Sequence, residues 1–142
     1  MKLLNALVMS AVVFFTTAIG KADTLLHEQS ITYKNQRGST LTLVWHTHYH
    51  HTGTLTGTFT TVVGDCQADI GKPMPAYGFF NGQAIAITVN FPHCQQIVTI
   101  TGNRSMNEKQ LYTLWLDTRS VIDPLHQHWK GTIIGNDTYH KL

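Results

Sequence analysis

The chain has 142 residues, of which only 13% are charged, and its formal net charge at pH 7 is +2. This length fits a single domain with its own core. The near balance of charges leaves no basic patch and therefore predicts no nucleic-acid partner. Soluble domains usually carry about 25% charged residues, so the low share here predicts that a homo-oligomer covers part of the surface.

The first 22 residues have the pattern of a secretory signal peptide. A short positive start at Met1-Lys2 is followed by an apolar stretch from Leu3 to Ile19, and small residues follow at Gly20 and Ala22. This order is typical of a cleaved export signal, although the stretch is also just long enough for an N-terminal membrane anchor. Cleavage leaves one domain, residues 23–142, with no net formal charge. A cleaved signal peptide predicts a secreted or periplasmic protein without membrane contact.

Eight short β-strands are predicted in the remaining chain. β-branched residues dominate between Gly, Asn and Pro turn signals, and no segment is convincingly helical. The strongest hairpin signal is Asn81-Gly82, which lies between two apolar runs. The pattern favours an all-β fold, either an eight-stranded antiparallel up-and-down barrel or a sandwich. The predicted strands are Ile31–Lys34, Ser39–His48, Gly53–Val62, Met74–Phe80, Gln83–Phe91, Gln96–Gly102, Gln110–Asp117 and Trp129–Thr138.

The first turn, Asn35-Gln36-Arg37-Gly38-Ser39, holds two small hydrogen-bonding side chains at its two ends. Turns of this composition are common, because Asn and Ser bond to nearby backbone and Gly accepts a positive φ. At the mouth of a barrel, Asn35 and Ser39 could both point at one polar atom of a ligand. We expect Arg37, between them, to lie in solvent.

The hairpin tip Trp45-His-Thr-His-Tyr-His-His51 is rich in histidine. Strand alternation predicts that His46, His48 and His50 share one face, where three imidazoles could bind Zn²⁺, Ni²⁺ or Cu²⁺. The favoured alternative is a solvated, pH-responsive tip that binds no metal.

Cys66 and Cys94 are the two cysteines of the chain. In an exported protein a disulfide between them is the default, and two unpaired thiols are the alternative. The bridge would close a loop of about 28 residues, which the chain-entropy model associates with about 3–4 kcal/mol of stabilisation.

Five segments follow one another in a fixed order. They are the turn 35–39, Leu55-Thr-Gly-Thr-Phe-Thr-Thr61, Ile85–Phe91, Leu114-Trp-Leu116 and Trp129-Lys-Gly-Thr-Ile-Ile-Gly-Asn-Asp-Thr-Tyr139. In this order and at these spacings they resemble the avidin and streptavidin family of biotin-binding eight-stranded barrels. The resemblance covers about residues 31–141. It implies a non-enzymatic protein that binds biotin as a ligand and needs no cofactor.

The resemblance implies a set of hydrogen-bonding residues for the ureido ring of biotin. Asn35 and Ser39 match two of the three residues that donate to the ureido oxygen, but the third, a Tyr in the family, is Phe59 here. Asp137 and Thr61 match the acceptors of the two ureido N–H groups. A carboxylate that accepts an N–H bond makes it about twice as strong as a neutral acceptor does, so we expect this end of the site to be largely present.

The other end of the implied site departs from the family's pattern. Trp115 matches one aromatic wall, and Trp129 matches the Trp that caps a neighbouring subunit's site in tetrameric members. Four positions differ: Phe91 replaces a Trp, Ile100 an aromatic residue, Val98 a Thr and Gln96 a Ser. The resemblance therefore implies that biotin binds more weakly than in the strongest members.

The cysteines narrow the resemblance to one branch of the family. Cys66 follows the third predicted strand and Cys94 follows the fifth, as in the dimeric, rhizavidin-like avidins. Trp129 is instead usual in tetramers, so the implied partner is another copy of the chain, in a dimer, a tetramer or a larger assembly.

Three alternatives stay open. The residues Gln96, Val98 and Ile100 fit a barrel whose site has drifted to another small ligand. The histidine-rich hairpin fits an exported metal-binding barrel. A lipocalin-like carrier has the same strand count, but its usual Gly-x-Trp signature is missing, with Tyr33 before Lys34. No nucleophile elbow or triad spacing indicates an enzyme.

Overall fold

The computed structural model describes residues 28–121 and 131–142, which form a closed barrel of eight antiparallel strands. The strands are β1 Gln29–Asn35, β2 Thr40–Tyr49, β3 Thr52–Thr60, β4 Pro73–Asn81, β5 Ala84–Phe91, β6 Gln96–Arg104, β7 Gln110–Arg119 and β8 Thr132–Lys141. Each strand pairs with the next, and β8 returns to pair with β1. The predicted up-and-down barrel is confirmed, and the sandwich is excluded. The predicted signal peptide, residues 1–22, and Trp129 lie outside the described residues.

Side-chain alternation along the strands fills the barrel. In β5, Ile85, Ile87, Val89 and Phe91 are buried while the residues between them are exposed. The same period of two in the other strands puts one apolar row of each strand inside, as a half-buried sheet requires. The core therefore occupies the interior of the barrel, and ligands can reach it only at the ends.

The strand ends differ from the predicted ones at the seam between β1 and β8. β1 begins at Gln29, two residues before the predicted start, and β8 extends to Lys141 instead of ending at Thr138. The extension pairs Tyr33 with Lys141 and Asn35 with Tyr139. The backbone N–H and C=O groups of β1 need partners when the barrel closes, and the extended end of β8 supplies them. The apolar pattern of β8 alone does not predict this extension.

The predicted Asn81-Gly82 hairpin is confirmed between β4 and β5. Gly82 has a φ of +59°, which suits glycine, and its N–H donates to the His51 carbonyl oxygen at 2.7 Å. A single 3₁₀ turn, Pro92–Cys94, follows β5 and places Cys94 near the barrel's open end. Within residues 28–121 and 131–142, no helix is long and apolar enough to cross a membrane.

Candidate functional site

A cavity of about 310 Å³ opens at the end of the barrel that carries the β1–β2 turn and the loops after β3 and β5. This volume lies at the small end of the range for ligand pockets. The predicted ligand-binding residues that the structure describes all line it: Asn35, Ser39, Phe59, Thr61, Phe91, Gln96, Val98, Ile100, Trp115 and Asp137. The fold thus brings together residues that are up to about a hundred positions apart.

The β1–β2 turn holds the Asn35 side chain in one orientation. Its Oδ1 accepts hydrogen bonds from the backbone N–H groups of Arg37 and Ser39, at 3.1 and 2.8 Å. Gly38 completes the turn with a φ of +96°, a conformation that favours glycine. Because both bonds are made by Oδ1, the Asn35 Nδ2 group is left to act as the donor inside the site.

The carboxylate of Asp137 lies in the cavity wall and is bonded by the same turn. Asn35 Nδ2 donates to its Oδ2 at 3.0 Å, and Gln36 Nε2 donates to its Oδ1 at 2.8 Å. Arg37 Nη2 adds an ion pair to Oδ1 at 3.4 Å. A buried carboxylate must be paired in this way, because leaving its charge without partners is costly. The site therefore contains a carboxylate acceptor that the turn holds in position.

Arg37 is exposed as expected, with 43% of its side chain accessible, but its guanidinium also contacts the site. Its guanidinium bonds Asp137 and lies 5.6 Å from the centre of the Trp115 ring, and the residue lines the cavity. The buried carboxylate attracts the cation, and the indole face adds a cation–π contact. Arg37 therefore belongs to the wall of the site, at the side of the β1–β2 turn.

Two hydroxyl groups near the turn have different hydrogen-bonding states. Ser39 Oγ accepts from the Val62 N–H at 3.2 Å, which leaves the serine proton free to donate into the cavity. Thr61 Oγ1 donates to the Val63 carbonyl oxygen at 2.6 Å and accepts from the Val63 N–H at 3.3 Å. Ser39 is therefore available as a donor, and Thr61 can offer only an acceptor.

Tyr139 is a site residue that the sequence reasoning missed. It lies directly opposite Asn35 in the β1–β8 register, is 1% exposed and lines the cavity. Burial raises the pKa of its hydroxyl well above the usual range and nearby Asp137 adds to the rise, while the Asn35 amide and Arg37 oppose it. Tyr139 is thus a neutral phenol at all ordinary pH values and a third donor beside Asn35 and Ser39. Strand alternation from Asp137 would have identified it.

The aromatic wall depends on a glycine in the facing strand. Trp115 on β7 lies against Gly135 on β8, where an added Cβ would be 2.1 Å from the indole Cζ2. Across the cavity, the rings of Phe59 and Phe91 meet edge to face, with centroids 6.1 Å apart. Ile100 is fully buried beside them. The described part of the wall thus combines one indole and two phenyl rings with several aliphatic side chains.

An ion pair at the outer end of the cavity was also missed. Arg119 Nε and Nη2 both donate to Asp117 Oδ2 at 3.2 Å, and its Nη1 donates to Asp65 Oδ2 at 3.3 Å. Burial lowers the pKa of Arg119, but the bonds to the two carboxylates outweigh it and raise the pKa. Asp117 Oδ1 is buried without any hydrogen-bond partner among the described residues. Alternation from Trp115 would have found both Asp117 and Arg119.

The disulfide between Cys66 and Cys94 is confirmed, with 5.9 Å between the Cα atoms. It joins the β3–β4 loop to the 3₁₀ turn after β5, and both cysteines line the cavity. Beside it, Asp69 is buried in the same loop, and its Oδ1 lies 2.7 Å from His93 Nδ1. Two links therefore hold these loops together at the mouth of the site, and the alternative of two free thiols is excluded.

The histidine-rich hairpin does not bring three imidazoles together. His46 and His48 bond the hydroxyls of Thr56 and Thr54 on β3, at 2.8 and 3.0 Å. His50 has left the strand and lies in the turn, with a φ of +48°. The prediction that all three share one face is wrong, because β2 is irregular after Thr47. Within the described residues, these histidines are not part of any potential metal-ligand group.

Comparisons with known proteins agree on one family. The model of the avidin family matches residues 26–142. Core-bradavidin is 27% identical, with a TM-score of 0.62 over 80% of this chain and 100% of its own. The bradavidin2–biotin complex is 26% identical, with a TM-score of 0.60 over 79% and 95% of the two chains. The rhizavidin–biotin complex, 23% identical, shows the same fold with a TM-score of 0.63 over 80% and 92%. No curated protein gave a significant match.

Proposed function

The chain belongs to the avidin family, and from this premise we propose that it is an exported protein that binds biotin, or a related cyclic urea, with its ureido ring beside Asn35 and Asp137. It is a binding protein and not an enzyme, and biotin is its ligand rather than a cofactor. The bradavidin2 and rhizavidin structures contain biotin, which supports the same ligand here. Export is supported by the signal-peptide pattern of residues 1–22 and by the disulfide.

The observation that carries the proposal is the buried Asp137 carboxylate with donors gathered around it. A cyclic urea has one carbonyl oxygen that accepts several hydrogen bonds and two N–H groups that donate. Asn35 Nδ2, the free proton of Ser39 and the neutral phenol of Tyr139 are suited to the oxygen, while Asp137 and Thr61 are suited to the N–H groups. Few other small ligands match both halves of this set.

Tyr139 changes the expected balance of the donor set. Phe59 lacks the phenol that the family resemblance implies at its position, but Tyr139 brings a phenol to the same cavity from the facing side of the barrel. The remaining departures are Phe91, which keeps an aromatic ring, and Gln96, Val98 and Ile100. Each lost hydrogen bond weakens binding by roughly 0.5–1.5 kcal/mol, so with one lost aromatic contact we expect affinity about two to three decades below the strongest non-covalent complexes.

Equilibrium dialysis of the mature chain against labelled biotin tests the proposal. The expected result is saturable binding of one biotin per chain, displaced by excess unlabelled biotin. Retention of no label at millimolar biotin would show that the proposed ligand is wrong. A matched variant, Ser39→Ala, removes one proposed donor and should weaken retention without changing the melting temperature greatly.

A homo-oligomer is the second part of the proposal, supported by an apolar patch on the outside of β7 and β8. Leu116 and Ile134 are directly opposite each other, and Tyr112 and Leu114 continue the row on β7, all of them exposed. Exposed apolar patches of this kind mark interaction surfaces. Light scattering after size exclusion should give a multiple of the chain mass. The variant Leu114→Asp should lower that multiple, and Thr118→Asp, at an exposed polar position of the same face, should not.

A further inference from the structure

The outer end of the cavity carries an excess of negative charge. Asp65, Asp69 and Asp117 line it together with Arg119, so three carboxylates share this end with one guanidinium. All the Arg119 donors that bond within the described residues go to Asp117 and Asp65. The guanidinium is thus already compensated by the protein, and it is poorly placed to serve as the counter-ion of an anionic ligand.

Asp117 holds an acceptor that the folded chain leaves unused. The residue is 5% exposed, and its Oδ2 takes both bonds from Arg119, while its Oδ1 is buried and bonds nothing among the described residues. Burying a carboxylate oxygen without a donor costs free energy, and a ligand that brings an N–H group recovers it. The unpartnered oxygen therefore selects for a donor on the ligand.

The position of Asp117 indicates that the donor must lie on the ligand's tail. Thr113 Oγ1 donates to the Asp137 backbone oxygen at 3.0 Å, so Thr113 marks the level of the ureido ring. Asp117 lies four residues further along β7, which is about 13 Å at the rise of an extended strand. A biotin whose ring lies beside Asp137 extends its aliphatic tail towards this level, past Trp115.

We propose that the outer subsite formed by Asp117 and its neighbours takes an amide N–H at the end of the ligand's tail, so that the chain prefers an amide of biotin to free biotin. The inference rests on the proposed function, because it needs the ureido ring to be bound at Asp137. A free carboxylate at this level meets three carboxylates, and the guanidinium among them, that of Arg119, is already bonded to two of them. An amide is neutral, and its N–H donates to Asp117 Oδ1 in a charge-assisted bond.

Calorimetry with three ligands that share one ring tests the proposal. Biotin has an anionic tail, biotin methyl ester a neutral tail without a donor, and biotinamide a neutral tail with a donor. We expect the amide to bind most tightly, the ester less tightly and the acid least, with the amide bound about tenfold or more tighter than the acid. Equal affinities, or tightest binding of the acid, would overturn the proposal.

The variant Asp117→Asn separates this subsite from the rest of the cavity. It removes the charge without changing the shape, so the acid should gain affinity and the difference between amide and acid should shrink several-fold. An unchanged preference in the folded variant would overturn the proposal, and if the variant does not fold, the wild-type series alone decides. 2-Imidazolidone, which has the ureido ring and no tail, distinguishes the two claims. If 2-imidazolidone binds but the amide binds no more tightly than the acid, only this inference is contradicted. If none of the four ligands binds, the proposed function is contradicted as well.

Discussion

Asn35 Nδ2 donates to Asp137 Oδ2 at 3.0 Å across the seam between β1 and β8, which joins residues 102 positions apart in the chain. The same seam pairs Asn35 with Tyr139 in the strand register. Closing the barrel and assembling the proposed ureido site are therefore one structural event, because both depend on the first and last strands meeting in this register.

Replacing the acceptor in this pair should weaken ligand binding strongly. In Asp137→Asn the charge proposed to receive a ureido N–H is lost, and a hydrogen bond to a charged group contributes about 1.5–3 kcal/mol, so affinity for biotin should fall roughly ten- to hundredfold. Glu28→Gln makes the same change of charge at an exposed residue on the far side and should bind as the wild type does. Wild-type affinity in Asp137→Asn would show that this carboxylate does not contact the ligand.

The phenol of Tyr139 should contribute one donor to the ureido oxygen. Tyr139→Phe keeps the ring and removes the hydroxyl, so affinity should fall roughly three- to tenfold. Tyr112→Phe, on the exposed outer face of β7, is the matched control and should have no effect. The reverse change, Phe59→Tyr, should tighten binding. Full affinity in Tyr139→Phe would mean that the phenol serves only the core.

Buried tyrosines should make the fold sensitive to alkali. Burial raises the pKa of both Tyr33 and Tyr139, so each keeps its proton in the folded chain at pH values where the unfolded chain has lost it. The free energy of unfolding should be insensitive to these groups below about pH 10 and should fall above it, by about 1.4 kcal/mol per pH unit for each tyrosine that is still protonated in the folded chain. Urea titrations between pH 8 and 12 measure this slope. Tyr139→Phe should reduce it, and the same slope in Tyr112→Phe and wild type is the expected control.

The position of the Trp115 wall should depend on the absence of a side chain at 135. In Gly135→Ala the new Cβ would lie within 2.1 Å of the indole, so the ring must move into the cavity or the strands must separate. Such overpacking usually costs about 1–3 kcal/mol, and we expect a lower melting temperature together with weaker biotin binding. Asn136→Ala, the next residue on the exposed face, should change neither. A Gly135→Ala protein with wild-type stability and affinity would refute the close contact.

Much of this fold could be predicted from the sequence, because a period of two and glycine or asparagine turns are local signals. Gly82 and the apolar run of β5 show this clearly. The disulfide between Cys66 and Cys94 was also predictable from export. Barrel closure was not a local signal, and only the resemblance to a family supplied it.

Site residues were predictable where the residue type indicated the role. They were missed where the face of the strand on which a side chain lies decided the role. Asn35, Ser39 and Asp137 were identified because their residue types match the family that the chain resembles. Tyr139 and Asp117 each lie two residues from a predicted site residue, and alternation alone would have put them on the same inner face. The contacts of Arg37 were not predictable, because its guanidinium pairs with a carboxylate that the fold brings from the last strand.

Titration calorimetry of the mature chain with biotin and with 2-imidazolidone tests the central claim most directly, because the second ligand contains only the ureido ring. The structure predicts that both bind at one site per chain, biotin more tightly, and that Asp137→Asn weakens both by a similar factor. If neither ligand binds at millimolar concentration, or if Asp137→Asn leaves both affinities unchanged, the ureido site formed by Asn35, Ser39, Tyr139 and Asp137 is contradicted.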